Sequence, residues 1–135
     1  WWGPEAERYV FRQDPGEQNA LGVLRFDMPN KHIVYMHDTP MKNLFGYFER
    51  AVSAGCVRLQ NFWGVADWVL AGQDGQTAST LQGKVASGQQ ATIRLKQPVP
   101  VHFIYLTAWM DNGTVQFRND LYNRDASAFV SGEDV

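Results

Sequence analysis

The 135-residue chain is 44% hydrophobic and 13% aromatic, enough for one domain-sized core and too apolar for a disordered segment. Its 12 Lys+Arg against 14 Asp+Glu leave a net charge of −2, which argues against a phosphate-neutralising surface and so against nucleic acid as the main partner. The longest apolar stretch, residues 99–110, is interrupted by Pro100 and His102 and falls short of the roughly 18–20 residues that span a bilayer, so no membrane segment is expected.

In chain order, residues 1–20 are rich in Pro, Gly, Gln, Glu and Arg and suit an irregular lead-in. Residues 21–27 and 32–37 suit short strands, with Met28-Pro29-Asn30-Lys31 as the turn of a β-hairpin. A period of two puts Ile33, Tyr35 and His37 on one face of the second strand, and His32, Val34 and Met36 on the other. Residues 38–54 form a long connection with short helical turns expected over 42–45 and 47–51, and connections of that length more often form lids or binding loops than plain linkers. Asn61 is a good N-cap. After it Phe62, Val65, Ala66, Val69 and Leu70 recur at helical spacing before Gly72. A second helix is expected over 77–86, with Ala78, Leu81 and Val85 on one stripe. Residues 90–96 alternate as a strand, and residues 101–111 form an apolar β run. Asp111-Asn112-Gly113 turns that run back into a strand over 115–118. Trp63, Trp68 and Trp109 fall where helix and strand cores need large residues. Strands outnumber helices, so the expected class is α+β, mostly β.

The chemistry concentrates between Tyr35 and Leu59. Cys56 is the lone cysteine, which excludes an internal disulfide. A thiol attacks a carbonyl only as thiolate, so it needs an imidazole to take its proton, and His37 at the end of a strand suits that task. The base needs an acceptor that fixes its tautomer, and the backbone carbonyl or the carboxylate of Asp38 is nearest in sequence. Gly55 permits a turn in which the N–H groups of Gly55 and Cys56 converge on an oxyanion, and Ser53 can cap that turn. Each residue also has a plain reading: Cys56 beside Val57 and Leu59 as a packed thiol, His37 as a hydrogen-bonded strand end, Arg58 as an ion-pair partner, Tyr35 as sheet packing. His32 and His37 lie five apart, on opposite faces of a strand, and CxxC and HExxH spacings are absent, so neither a metal nor another cofactor is expected.

Four pieces in sequence order together resemble one family, the L,D-transpeptidase catalytic domains of the YkuD type, in particular the large periplasmic, YcbB-like branch. They are Asn19-Ala20-Leu21-Gly22 with the strand after it, the Tyr35-Met36-His37-Asp38-Thr39-Pro40 segment, Ser53-Ala54-Gly55-Cys56-Val57-Arg58, and the closing strands from Pro100 to Arg118. The separation of 19 positions from His37 to Cys56 also suits that branch. Many members carry a histidine directly before the Gly-Cys pair; here it is Ala54. The resemblance implies a twisted, barrel-like sheet whose first strands are absent from this chain. Residues 1–20 would be the tail of a capping or lid segment, 21–125 the catalytic domain and 126–135 a polar tail.

It also implies Cys56 as nucleophile, His37 as base and then acid, and Asp38 as orienter. Tyr35 would line the acyl pocket near an oxyanion hole at Gly55 and Cys56, and Arg58 would brace the loop or meet a substrate carboxylate. The implied reaction joins third-position diamino acid residues of peptidoglycan stem peptides through a cysteine thioester, and carbapenem-type β-lactams would acylate the same thiol. Alternatives on the same site are an L,D-carboxypeptidase or a transferase that anchors proteins; the alternative of another class is a non-catalytic wall-binding fragment. The chain starts at Trp1 without a signal-like segment and reads as a piece of a longer polypeptide. The family implies a periplasmic or cell-envelope location, where a lone unpaired thiol is better explained by use than by packing.

Overall fold

A computed structural model describes residues 3, 8–10, 12–13 and 18–128. Much of the expected cap tail and most of the expected polar tail, residues 129–135, lie outside the described residues. The chain is α+β and divides into two compact units, residues 1–98 and 99–135.

In the first unit, β1 (Arg25–Phe26) pairs antiparallel with β2 (Met36–His37), and β2 pairs in parallel with β3 (Val57–Arg58), giving the order β1-β2-β3. The expected hairpin is present, but its ladder is shorter than the sequence pattern suggests. Ile33 sits at φ 55°, a left-handed conformation that breaks the alternation before Val34. Asn30 then captures Val34: its Oδ1 accepts from the Val34 N–H (3.2 Å) and its Nδ2 donates to the Val34 carbonyl (2.6 Å). A longer hairpin would offer both groups to the opposite strand. The period-two assignment therefore holds for Tyr35 and His37 and fails at Ile33.

Between β2 and β3, a 3-10 helix (Lys42–Gly46) forms where a helical turn is expected. The second expected turn, over 47–51, is not formed, because Tyr47 leaves the helix in an extended conformation. The helix α1 (Phe62–Leu70) starts at Asn61, whose side chain accepts from the Gly64 N–H at 3.0 Å. It buries Phe62, Ala66 and Leu70, one residue per turn. Trp63 packs on Phe62 with ring centroids 4.9 Å apart, whereas Trp68 is 66% exposed on the opposite face and is not a core residue. The helix α2 (Ala78–Ala86) opens with a reciprocal capping box, in which Thr77 accepts from the Thr80 N–H and Thr80 from the Thr77 N–H. Ala78 is its buried contribution to the α1–α2 packing, while Leu81 is half-buried and Val85 exposed.

The strand expected over 90–96 does not form. Ile93 and Leu95 are half-buried and Thr92 and Arg94 exposed, so the alternation is real, but no partner strand takes up the backbone among the described residues. The Lys96 N–H goes instead to Gln73 Oε1 (2.6 Å).

In the second unit, β4 (Ala108–Asp111) and β5 (Thr114–Phe117) form the expected hairpin, with Asn112 at φ 47° and Gly113 as its two-residue turn. The expected β run is a paired strand only from Ala108. Before it the alternation persists without a ladder: Tyr105, Thr107 and Trp109 are half-buried, while Ile104, Leu106 and Met110 are exposed. Tyr105 Oη donates to Asp120 Oδ1 (2.7 Å), the Asp125 N–H donates to Asp120 Oδ2 (2.9 Å), and Thr107 Oγ1 donates to Asp125 Oδ1 (3.0 Å). This network ties the run to the start of the short helix α3 (Asp125–Ala128).

Two outcomes follow. Ile33 is 81% exposed, so Ile33→Asn relieves left-handed strain at little loss of burial and is expected to stabilise the chain by about 1 kcal/mol in chemical denaturation. In the second unit, the Asp125 N–H and then the Tyr105 hydroxyl hold the Asp120 carboxyl below its usual 3.8, while partial desolvation and the bond to Asp120 push Tyr105 above 10.0. The Asp120 contribution is therefore whole above 3.8 and lost as pH falls through its lower folded value; that of Tyr105 is whole below 10.0 and lost as pH rises through its higher one. Near-UV circular dichroism of the tyrosines should be flat between these limits and change outside both, and Asp120→Asn should remove the acid limb.

Candidate active site

The sequence-selected residues meet where β2 and β3 run side by side. The parallel register pairs Met36 with Val57 and His37 with Arg58, and it continues outward through the Val57 N–H to the Tyr35 carbonyl (3.0 Å) and the Leu59 N–H to the His37 carbonyl (2.9 Å). Cys56 therefore lies beside Tyr35 and diagonal to His37. Registered neighbours in a sheet share a face, so His37 and Arg58 project to one side and Met36 and Val57 to the other, with Tyr35 and Cys56 directly before the two strands. The Tyr35 and His37 rings meet edge to face, with centroids 6.3 Å apart.

His37 is buried at 4% exposure, and its Nδ1 hydrogen-bonds the backbone carbonyl of Asp38. A carbonyl only accepts, so Nδ1 carries a proton, and the tautomer this selects has its lone pair on Nε2. Of the two acceptors open from sequence, the carbonyl is the one used. The Asp38 carboxylate is engaged elsewhere: Oδ2 accepts from the Val23 N–H (3.1 Å), and Oδ1 pairs with the Lys42 ammonium. Lys42 in turn lies over the Phe62 ring, 4.5 Å from its centroid. The buried carboxylate thus joins the approach to β1, the 3-10 helix and the start of α1, while its own main chain orients the imidazole. Gly22 makes room for it, since a methyl at that position would overlap the Asp38 carboxylate.

The loop before Cys56 is shaped by Ser53, whose Oγ accepts from the Gly55 N–H (3.3 Å) and donates to the Cys56 carbonyl (2.7 Å). Ser53 is therefore a turn cap, as its position suggests. Gly55 is at φ 141°, a conformation that L side chains rarely adopt. The Cys56 thiol is free and half-buried.

Two basic residues flank the imidazole across the sheet, because Arg25 in β1 and Arg58 in β3 both pair in register with His37. Arg25 also lies over the Tyr35 ring at 5.1 Å and pairs with Asp27 at 2.7 Å. Nε and Nη1 of Arg58 are buried without a hydrogen-bond partner, so this guanidinium presents donors with no protein acceptor. Sequence reasoning missed Arg25 and Lys42. The expected hairpin, which sets Arg25 opposite His37, was the available signal for the first; for Lys42 it was the spacing of four residues from Asp38 at the start of an expected helical turn.

A model of the YkuD family, described as the L,D-transpeptidase catalytic domain, matches residues 1–101, about three quarters of the chain. The chain belongs to the YkuD family. It is also 35% identical, over 117 residues that make up 87% of its length, to a Haemophilus influenzae protein named "Putative L,D-transpeptidase". Those residues are 24% of that protein, so the chain spans about a quarter of the length of the curated relative it matches. Within the YkuD match lie all three strands of the first sheet, the loop that carries Cys56, and the helices α1 and α2.

The seat of the Asp38 carboxylate can be tested in this YkuD domain without touching His37 or Cys56. Gly22→Ala drives a methyl into the carboxylate at a φ of +61° and is expected to lower stability by about 1–3 kcal/mol. Gly46→Ala, where an added methyl meets nothing, should shift the denaturation midpoint negligibly.

Proposed function

We propose that the chain carries the acyl-transfer site of a peptidoglycan L,D-transpeptidase, with Cys56 as nucleophile and His37 as its general base. The observation that carries the reading is the parallel β2–β3 register, which brings Cys56, the residue directly before β3, next to the strand that ends in His37, with His37 Nδ1 committed to the Asp38 carbonyl. That commitment leaves Nε2 as the atom that takes the thiol proton.

The thiolate attacks the carbonyl carbon of the third residue of a donor stem peptide, forming a C–S bond and an oxyanion. The N–H groups of Gly55 and Cys56 receive the oxyanion, the Gly55 N–H being released from Ser53 as the substrate seats. As the tetrahedral intermediate collapses, the C–N bond to the terminal D-alanine breaks and the His37 imidazolium returns its proton to the leaving amine. The side-chain amine of a diamino acid on an acceptor stem then attacks the thioester, giving His37 a proton. Collapse expels the Cys56 sulfur, which recovers the proton, and two third-position residues are joined. Tyr35 walls the acyl pocket, and Arg58 offers its unpaired N–H groups to a substrate carboxylate or to the loop. Two half-reactions through one thioester require ping-pong kinetics. Carbapenems would be trapped at the same sulfur, and the stem peptides place the reaction in the cell envelope.

Cys56→Ala should abolish both transfer and carbapenem adduct formation, and His37→Gln should lower the acylation rate about 10²–10⁴-fold. Mass spectrometry of stem-peptide products checks both. Normal turnover in Cys56→Ala would sink the reading, while a product that is only hydrolysed, even with acceptor stems present, would turn it into an L,D-carboxypeptidase.

A further inference from the structure

The 28–34 segment contains a small device that the proposed reaction does not yet use. Asn30 spends its whole side-chain hydrogen-bonding capacity locally. Nδ2 donates to the carbonyls of Met28 (2.7 Å) and Val34 (2.6 Å), and Oδ1 accepts from the N–H groups of His32 (3.0 Å) and Val34 (3.2 Å). An amide that takes both the N–H and the C=O of one residue acts as a one-residue strand partner. It holds the Val34 backbone, and with it the direction of the Val34 side chain, against a neighbouring residue in a left-handed conformation.

Val34 in turn meets the nucleophile loop. A methyl built on Gly55 would lie 3.0 Å from Val34 Cγ1, so the isopropyl group is packed directly against the α-carbon of Gly55. Ser53 grips the same loop from within, through the Gly55 N–H and the Cys56 carbonyl. The two N–H groups proposed to receive the oxyanion thus sit on a turn supported from one side by a hydroxyl and from the other by Val34.

We infer that Asn30 and Val34 are positioning residues for the oxyanion site, with Asn30 fixing Val34 and Val34 setting the placement of the Gly55–Cys56 main chain. The inference rests on Cys56 being the nucleophile, and it adds the prediction that losing this support costs carbonyl chemistry while sparing the thiol. A displacement of about 1 Å at such donors is worth on the order of 10- to 100-fold in rate. Alkylation by iodoacetamide proceeds through no oxyanion and reports only the state and access of the thiolate.

The test compares two rates at Cys56 in the full chain: alkylation by iodoacetamide and acylation by a carbapenem, both followed by intact mass. Val34→Ala and Asn30→Ala should each slow acylation about 10- to 100-fold while alkylation stays within about twofold. Val34→Thr, which keeps a branched atom against Gly55, should restore acylation to near the unsubstituted rate. If Asn30→Ala does not fold, the two Val34 variants decide. The inference is overturned if acylation is unchanged in Val34→Ala, if both rates fall together, or if Val34→Thr behaves like alanine. Failure of the underlying reading looks different, because the unsubstituted chain would then be alkylated but never acylated.

Discussion

The first unit is organised around one buried carboxylate. Asp38 is 5% exposed between two other buried polar residues, His37 and Thr39, and among the described residues the buried apolar side chains are few. Burying an ionised group is unfavourable unless it is paired and hydrogen-bonded, and Asp38 meets both conditions through the Lys42 ammonium and the Val23 N–H. Each partner belongs to a different segment. Satisfying the charge therefore draws the approach to β1, the 3-10 helix and, through Lys42 on Phe62, the first turn of α1 to the end of β2. The same residue's carbonyl sets the tautomer of His37. Stability and the orientation of His37 are linked at Asp38 because its side chain and its main chain serve different neighbours.

The geometry of the candidate site follows from a parallel strand pair and very little else. With Met36 opposite Val57 and His37 opposite Arg58, Cys56, directly before β3, is brought next to the strand that ends in His37 although a long loop separates them in sequence. A slip of one residue would turn every side chain of β3 to the opposite face. The register is held by the bonds from Val57 and Leu59 to the carbonyls of Tyr35 and His37, and the loop leading into it is closed by Ser53.

Much of this was legible. Helix α1 announces itself through its spacing and the Asn61 cap, the β4–β5 hairpin through Asp111-Asn112-Gly113, and the candidate site through His37, Gly55 and Cys56 in motifs that resemble the YkuD family. What failed has a common physical cause. The 90–96 segment alternates, with Ile93 and Leu95 half-buried and Thr92 and Arg94 exposed, yet a strand exists only if another strand accepts its hydrogen bonds. The β2 ladder stops early because Asn30 competes for the Val34 backbone, a local side-chain capture that composition does not signal. Trp68 falls within a helix whose core needs large residues, yet it lies off the Phe62, Ala66 and Leu70 stripe and the helix turns it outward.

By itself the amino-acid sequence determined the α+β class, the helix termini, the hairpin turns and the identity of the candidate site residues, because caps, turn residues, motifs and periodicity act over a few neighbouring positions. Only the tertiary structure decided which oxygen of Asp38 faces His37, that Lys42 neutralises the other end of that residue, that Arg25 and Arg58 flank the imidazole, and that Val34 supports Gly55. Those are contacts between segments distant in the chain. Register and burial select them, and neither is specified by any short stretch of sequence.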